Sequence, residues 1–287
     1  MTFSRLTGWL LLIPGLALVG LVILVPLLSV LRFSLGDEPT GTQASGFSFV
    51  SYAQIWTSSY YLSVIGRTFG IALFATLVSF VLALPVAYAM TRSGERLRSV
   101  IMLLTLLPLL AGSVVLSVGW VTLLRGSGVA SQALQAMGIT DEPLRWTENP
   151  FLLGVIMALI VLPFIVLSLQ GSLDAVDVNQ ERASLALGWS KASTFFRVVF
   201  PQTVPGIVAG TSLSFVLCVN AFSAPNLIGG GSIRLAAPTV YGIINTDGNW
   251  SLGGALAVSV IAVSLISSGL YTLIIPRVFD RWRLAVR

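Results

Sequence analysis

Residues 151–173 read FLLGVIMALIVLPFIVLSLQGSL, and residues 174–205 follow as DAVDVNQERASLALGWSKASTFFRVVFPQTVP. The first stretch carries no charge and is long enough for a helix to cross a hydrocarbon core about 30 Å thick. The second is polar, and a second apolar run begins at Pro205. Such a run cannot face water without exposing its length, and in lipid its backbone must be satisfied internally. The junction predicts a membrane helix, a folded inner loop and another membrane helix.

Working outward, the same pattern recurs. Charge-free apolar runs cover residues 9–31, 68–90, 99–123, 151–173, 205–228 and 252–276. Only 9% of residues are charged, against about 25% in soluble domains. Mean hydropathy is +0.92. These values exclude a soluble globular chain and a disordered one. The runs are too long and uniform for the alternating strands of a membrane barrel. The first run follows Arg5 but exceeds a signal-peptide core and lacks a clear small-x-small cleavage site, so it reads as an uncleaved span. The expected fold is all-α, a single membrane domain over residues 1–287 with six spans.

The chain has no histidine and one cysteine, Cys218. An internal disulfide, a histidine metal site, a Ser-His-Asp triad and a Cys-His pair are excluded by residue type. The net charge is +5. It reads as membrane topology rather than nucleic-acid binding, because the cations flank apolar runs. With the N-terminus inside, the inner segments hold Arg5, Arg92, Arg96, Arg98, Arg182, Lys191, Arg197, Arg277, Arg281, Arg283 and Arg287. The outer segments hold Arg32, Arg67, Arg125, Arg145 and Arg234. Eleven against five places both termini in the cytoplasm. Prolines 14, 26, 85, 108, 163 and 225 lie within spans, as packing kinks or as hinges.

The inner loop, residues 174–204, reads as two short helices. The first runs from about Val178 to Leu187, and Gly188 follows in the position that favours positive φ. Ser190 caps a second helix through about Phe200, Pro201 stops it, and Pro205 opens the fifth span. The second helix is amphipathic, with Phe195, Phe196, Val199 and Phe200 among Lys191, Ser193, Thr194 and Arg197. It suits the membrane surface or a groove on a cytoplasmic partner.

This loop resembles the coupling loop, or Glu-Ala-Ala loop, of binding-protein-dependent ABC importer permeases. Ala183, Gly188, Ser190, Phe196, Val199, Pro201, Pro205, Gly206 and Ile207 fall in the motif's register, and Asp177 matches its preceding acid. Arg182 stands where the motif has glutamate, with Glu181 one residue earlier; Ser184 replaces the second alanine and Phe200 the leucine before Pro201. The stretch FSFVSYAQIWTSSYYLSVIGRT at residues 47–68, PNLIGGG at 225–231 and NWSLGGALA at 249–257 resemble the polyamine branch, the spermidine/putrescine permeases. Branches for ferric iron, thiamine and phosphonate are related.

The resemblance implies a type I importer permease in a bacterial cytoplasmic membrane. It implies two ATPase subunits, a second homologous permease and a periplasmic or lipid-anchored binding protein as partners, besides membrane lipid. Glu181, Arg182, Ala183, Gly188, Ser190, Phe195, Phe196 and Pro201 would couple to the ATPase. The single lysine, Lys191, lies between Ser190 and Ala192, so no Walker A loop exists here. ATP and Mg would therefore sit on the partner ATPase, with no cofactor and no catalysis in this chain.

A proton-coupled carrier would place acids or histidines within spans, and the six runs contain none. Backbone-coordinated sodium leaves an ion-coupled carrier as the competing class. No ring of pore charges marks a channel, and no nucleophile–base set marks a membrane hydrolase. The polar residues of the spans include Gln170 and Ser214. Asn220, Ser223 and Asn226 read as helix–helix contacts or as a translocation path, with Phe222, Trp120 and Trp250 offering aromatic faces to a cation. The aromatic outer segment (Phe47, Phe49, Tyr52, Trp56, Tyr60, Tyr61) reads as an interfacial belt or a docking surface. Gly229, Gly230 and Gly231 suit a gating or docking loop.

Overall fold

The computed structural model describes residues 5–36, 46–124, 126, 128–138, 149–229 and 231–285. Gly230, Arg125, Arg145 and Arg287, named above, lie outside the described residues. The described residues are mostly helical, joined by turns and short irregular segments, and their one β feature is an isolated antiparallel bridge between Gly36 and Phe47. Six helical stretches are long and apolar enough to cross a membrane: Ile13–Ser34, Ser59–Arg92, Ser113–Ala133, Pro150–Asp174, Lys191–Val219 and Trp250–Arg277. The chain divides into two compact units, Met1–Leu62 with Thr239–Ile261, and Ser63–Pro238 with Ala262–Arg287.

In the first unit, α1 (Arg5–Ser34) runs through Pro14 and Pro26. Its side chains from Leu18 to Val25 are more than half exposed, as a lipid- or partner-facing helix requires. A short helix, α2 (Val50–Thr57), buries Ile55. The Tyr52 hydroxyl donates to Ser34 Oγ at 2.8 Å, and Ser251 Oγ donates to the Gly36 carbonyl at 2.7 Å. The aromatic segment thus divides: Tyr52 is tied inward, whereas Phe47, Phe49 and Trp56 are exposed.

The second unit is built on α3 (Ser59–Arg92) from Ser63 onward, α4 (Glu95–Ala111), α5 (Ser113–Leu124), α6 (Val129–Ala136), α7 (Pro150–Asp174), α8 (Val178–Ala186), α9 (Lys191–Thr194), α10 (Phe200–Val219) and α11 (Ser223–Ile228). After α12 (Ala236–Asn245), α13 (Trp250–Ala285) closes the chain. Asn149 caps α7 by accepting from Phe151 N–H at 2.9 Å, and Pro150 supplies a preset φ at its first position. α7 is deeply buried, with Leu153, Ile156, Ile165, Val166, Leu169 and Leu173 at 0–1% exposure.

α10 lies along α7 through a small-residue seam. A methyl added at Gly206 would meet Ser172 Oγ and, at 2.7 Å, the Ser168 carbonyl oxygen. One added at Gly210 would lie 2.9 Å from Ser168 Cβ and 3.1 Å from Ile165 Cα. Ser168 Oγ donates to the Gly206 carbonyl at 2.9 Å across the seam. Two glycines four apart let backbones approach where lipid offers no hydrophobic drive for helix association. Gly206→Leu forces the helices apart at a cost of about 1–3 kcal/mol. The expected result is a severalfold drop in membrane-embedded protein and a lower melting temperature in detergent. Normal amounts and melting would contradict the seam.

Three boundaries differ from the sequence reading. The predicted third span, residues 99–123, is two helices that meet at Gly112, whose φ of 77° and ψ of 154° suit glycine alone. The predicted fifth span, 205–228, breaks after Val219 and resumes at Ser223. Finally, Pro201 does not stop a helix. α9 continues through a π turn, Phe195–Val199, into α10. An α turn would press the Pro201 ring on the Arg197 carbonyl. The wider turn, closed by Phe200 N–H donating to the Phe195 carbonyl, relieves that crowding.

Candidate functional site

The loop after α7 is ordered by local capping. Asp177 accepts from Asn179 N–H at 2.9 Å and opens α8. α8 ends with Leu187 as cap and Gly188 beyond it at φ 87°. Gly188 N–H donates to the Leu185 carbonyl at 3.0 Å, and Trp189 N–H to the Ser184 carbonyl at 3.3 Å. That pair of bonds is the Schellman closure. Ser190 Oγ then accepts from Ser193 N–H at 3.2 Å and caps α9. The turn at Gly188 and the cap at Ser190 match the sequence expectation.

Three side-chain contacts fix the two short helices to each other and to the bundle. Ser184 Oγ and Thr194 Oγ1 share a buried hydrogen bond of 2.9 Å. Gln202 Nε2 donates to Gln180 Oε1 at 2.9 Å, joining α8 to α10. The Glu181 carboxylate accepts from Arg92 Nε at 3.0 Å and is ion-paired to Arg92 Nη2. Nearby, Arg98 Nη2 pairs with Asp174 Oδ2 at 2.9 Å, joining α4 to the end of α7.

The eight expected coupling residues separate into two groups. Arg182, Ala183, Gly188, Ser190 and Phe196 are exposed. Glu181 and Pro201 are buried, and Phe195 turns inward against Tyr88 and Phe200. Phe195 packs against a core that includes Ala83, Ala87, Met90, Leu169, Leu173 and Val199. Among its exposed residues the loop presents an apolar group: Leu187 is 79% exposed and Phe196 58%, with Leu185 and Trp189 beside them in sequence. Arg197 lies 4.9 Å over the Trp189 ring and holds it. Sequence reading missed Leu185, Leu187 and Trp189, whose signal is an apolar series flanking a helix-ending glycine.

The second site is a cavity of 340 Å³ where the two broken spans meet. The α4–α5 break contributes Pro108, Leu109, Gly112 and Ser113; the α10–α11 break contributes Leu217, Cys218 and residues 220–224. Met157, Ile160, Val161 and Phe164 of α7 supply the remaining wall. Asn220, Phe222 and Ser223 thus line it together. Trp120 and Asn226 do not. Breaking the fifth span at residues 220–222 starts a new helix, so the register extrapolated along one continuous helix fails for Asn226. Asn220 Nδ2 donates to the Val216 carbonyl at 2.8 Å, satisfying part of the terminus that the break exposes. No carboxylate or cation is among the lining residues.

The family described as binding-protein-dependent transport system inner membrane component matches residues 79–280. The chain belongs to this family. It is an ABC importer permease, a multi-pass inner-membrane transport subunit. The permease is 29% identical over 217 residues to the spermidine/putrescine transport system permease protein PotB of Salmonella typhimurium (strain SL1344), covering 76% of this chain and 75% of that one. It is 25% identical over 237 residues to the PotB of Haemophilus influenzae, covering 82% of each. A probable molybdenum ABC transporter permease of Haloferax volcanii is 30% identical over 188 residues, covering 65% of this chain and 66% of that one. Among solved structures, the permease superimposes on a bacterial alginate ABC transporter in complex with alginate pentasaccharide-bound periplasmic protein. The TM-score is 0.78 at 13% identity, with 94% of each chain covered. The fold is the type I importer permease fold.

Proposed function

We infer that this permease forms half of a translocation path for a polyamine delivered by an external binding protein. The observation that carries the path is the meeting of two interrupted spans at one cavity. Interrupted membrane helices place backbone polar groups beside a transported solute at membrane depth. The walls are apolar with amide and hydroxyl groups (Asn220, Ser113, Ser223) and aromatic faces (Phe222, Phe164). Such walls suit an alkyl chain with amines at intervals, and aromatic faces attract ammonium groups by about 0.5–2 kcal/mol each. Similarity to the PotB permeases over most of the chain supports the polyamine reading.

Membership of the family supports the remaining assembly. Both termini face the cytoplasm, an orientation that the distribution of arginine and lysine favours. The apolar tip of the 174–204 loop docks on one of two ATPase subunits, which hold ATP and Mg. A second, homologous permease completes the path. ATP binding closes the ATPase pair and opens the cavity outward; hydrolysis restores the inward state. The docked loop transmits that motion as a rigid body.

The test is uptake by the complete importer in liposomes loaded with ATP. Labelled putrescine or spermidine accumulates with the binding protein present and not without ATP. The similarity to a probable molybdenum permease supplies the competing outcome. Accumulation of molybdate with no polyamine uptake would overturn the substrate assignment.

A further inference from the structure

Glu181 belongs to the loop yet faces the interior of its own chain. It is 9% exposed, while its neighbour Arg182 is exposed. Its carboxylate receives Arg92 through Nε at 3.0 Å and through Nη2, and the Tyr88 hydroxyl donates to Oε2 at 3.4 Å. The Arg92 guanidinium carbon lies 5.7 Å from the Tyr88 ring centre. Tyr88 in turn meets Phe195 edge-on at 5.2 Å. The last turns of α3 therefore hold α8 through Glu181 and the start of the π turn through Phe195.

The same helix is anchored at its other end. Thr68 Oγ1 accepts from Ala236 N–H at 2.9 Å in a buried position, fixing the start of α12. Between Thr68 and Arg92 the helix runs continuously through Pro85, a length of about 36 Å at the standard rise. The loop is thus joined to the bundle by its chain neighbours, α7 and α10, and by a side-chain attachment to α3.

We propose that α3 acts as a second coupling lever, with the Glu181–Arg92 pair as its attachment. Displacement of the 174–204 loop then reaches the Ala236 segment as well as α10. Glu181 and Arg92 are positioning residues. They act by binding α8 to α3. A largely buried, hydrogen-bonded pair resists separation, because parting the charges leaves each less well compensated where solvent is mostly excluded. The inference rests on the docking of the loop to an ATPase given under Proposed function.

The experiment uses the complete importer in liposomes with its binding protein. Arg92→Met lowers uptake tenfold or more, while the ATPase still co-purifies and basal ATP hydrolysis stays within twofold of wild type. Fewer solutes then move per ATP. Exchanging the partners, Arg92→Glu with Glu181→Arg, recovers at least a third of the lost uptake. As an independent measurement, Arg92→Cys and Glu181→Cys are combined in a Cys218→Ser background. Bridging the pair with a short bis-methanethiosulfonate restores uptake.

The proposal is overturned if Arg92→Met imports normally. It is also overturned if the exchanged pair does no better than the single variants, or if bridging fails to restore uptake. Parallel loss of complex, hydrolysis and uptake in Arg92→Met would make the pair a structural staple only, and would likewise end the proposal. Failure of the docking reading shows elsewhere, as undiminished ATPase co-purification in variants of the exposed tip.

Discussion

Gly188→Val abolishes ATP-driven uptake, by a hundredfold or more, and leaves membrane insertion and protein amount unchanged. Gly188 has φ 87° and nothing within 4 Å of an added Cβ. The substitution therefore meets no neighbour, and the penalty is purely conformational. A β-branched residue held in the left-handed region costs about 1–3 kcal/mol. The chain escapes by returning residue 188 to negative φ. The bonds from Gly188 N–H and Trp189 N–H to Leu185 and Ser184 are then lost. The tip carrying Leu187 and Trp189 swings out of the geometry that α8 and α9 impose. Gly188→Asn provides the internal control. Asparagine tolerates positive φ far better than other non-glycine residues. Gly188→Asn is thus expected to retain at least a third of wild-type uptake. Equal loss in both variants would show that the turn's backbone is not what matters.

Leu187→Asp and Phe196→Asp each break docking of the ATPase. Leu187 is 79% exposed and Phe196 58%, with the Phe196 ring resting on Phe195 and Phe200, so Leu187→Asp is the variant that leaves packing within the chain least disturbed. Burying a leucine or phenylalanine on a partner contributes about 1.5–3 kcal/mol. Forcing a carboxylate into that groove adds a desolvation cost of similar or larger size. Together these predict a fall in ATPase affinity of about 30-fold or more. Pull-down of the tagged permease at fixed ATPase concentration reads it directly. By contrast, Phe196 could lie on lipid as part of a surface helix. In that case co-purification is unchanged and the permease alone binds detergent or lipid differently.

The spans were legible in the sequence because lipid excludes charge over a whole helix. α7, Pro150–Asp174, differs by one residue at each end from the expected 151–173. Caps were legible because they are local: Asp177, Gly188 and Ser190 do in the structure what their residue types predict. The breaks at Gly112 and at residues 220–222 were not read, since glycine and asparagine in apolar runs also serve ordinary packing. The π turn before Pro201 is not legible in the sequence, because a proline after a helical run reads as a stop. The inward role of Glu181 depends on Arg92, 89 residues earlier, and no local pattern announces a pairing that distant. Cavity membership failed for Trp120 and Asn226 for the same reason. It depends on how two interrupted spans face α7.

The most direct test of a coupled importer permease is gentle purification of the tagged chain from a strain expressing its chromosomal neighbours, followed by mass analysis and ATPase assay. The account predicts recovery of an ATPase subunit bearing a Walker A loop and of a second permease, with hydrolysis stimulated by the binding protein. Recovery of this chain alone in several mild detergents, with no ATPase activity, would contradict it and favour an ion-coupled carrier.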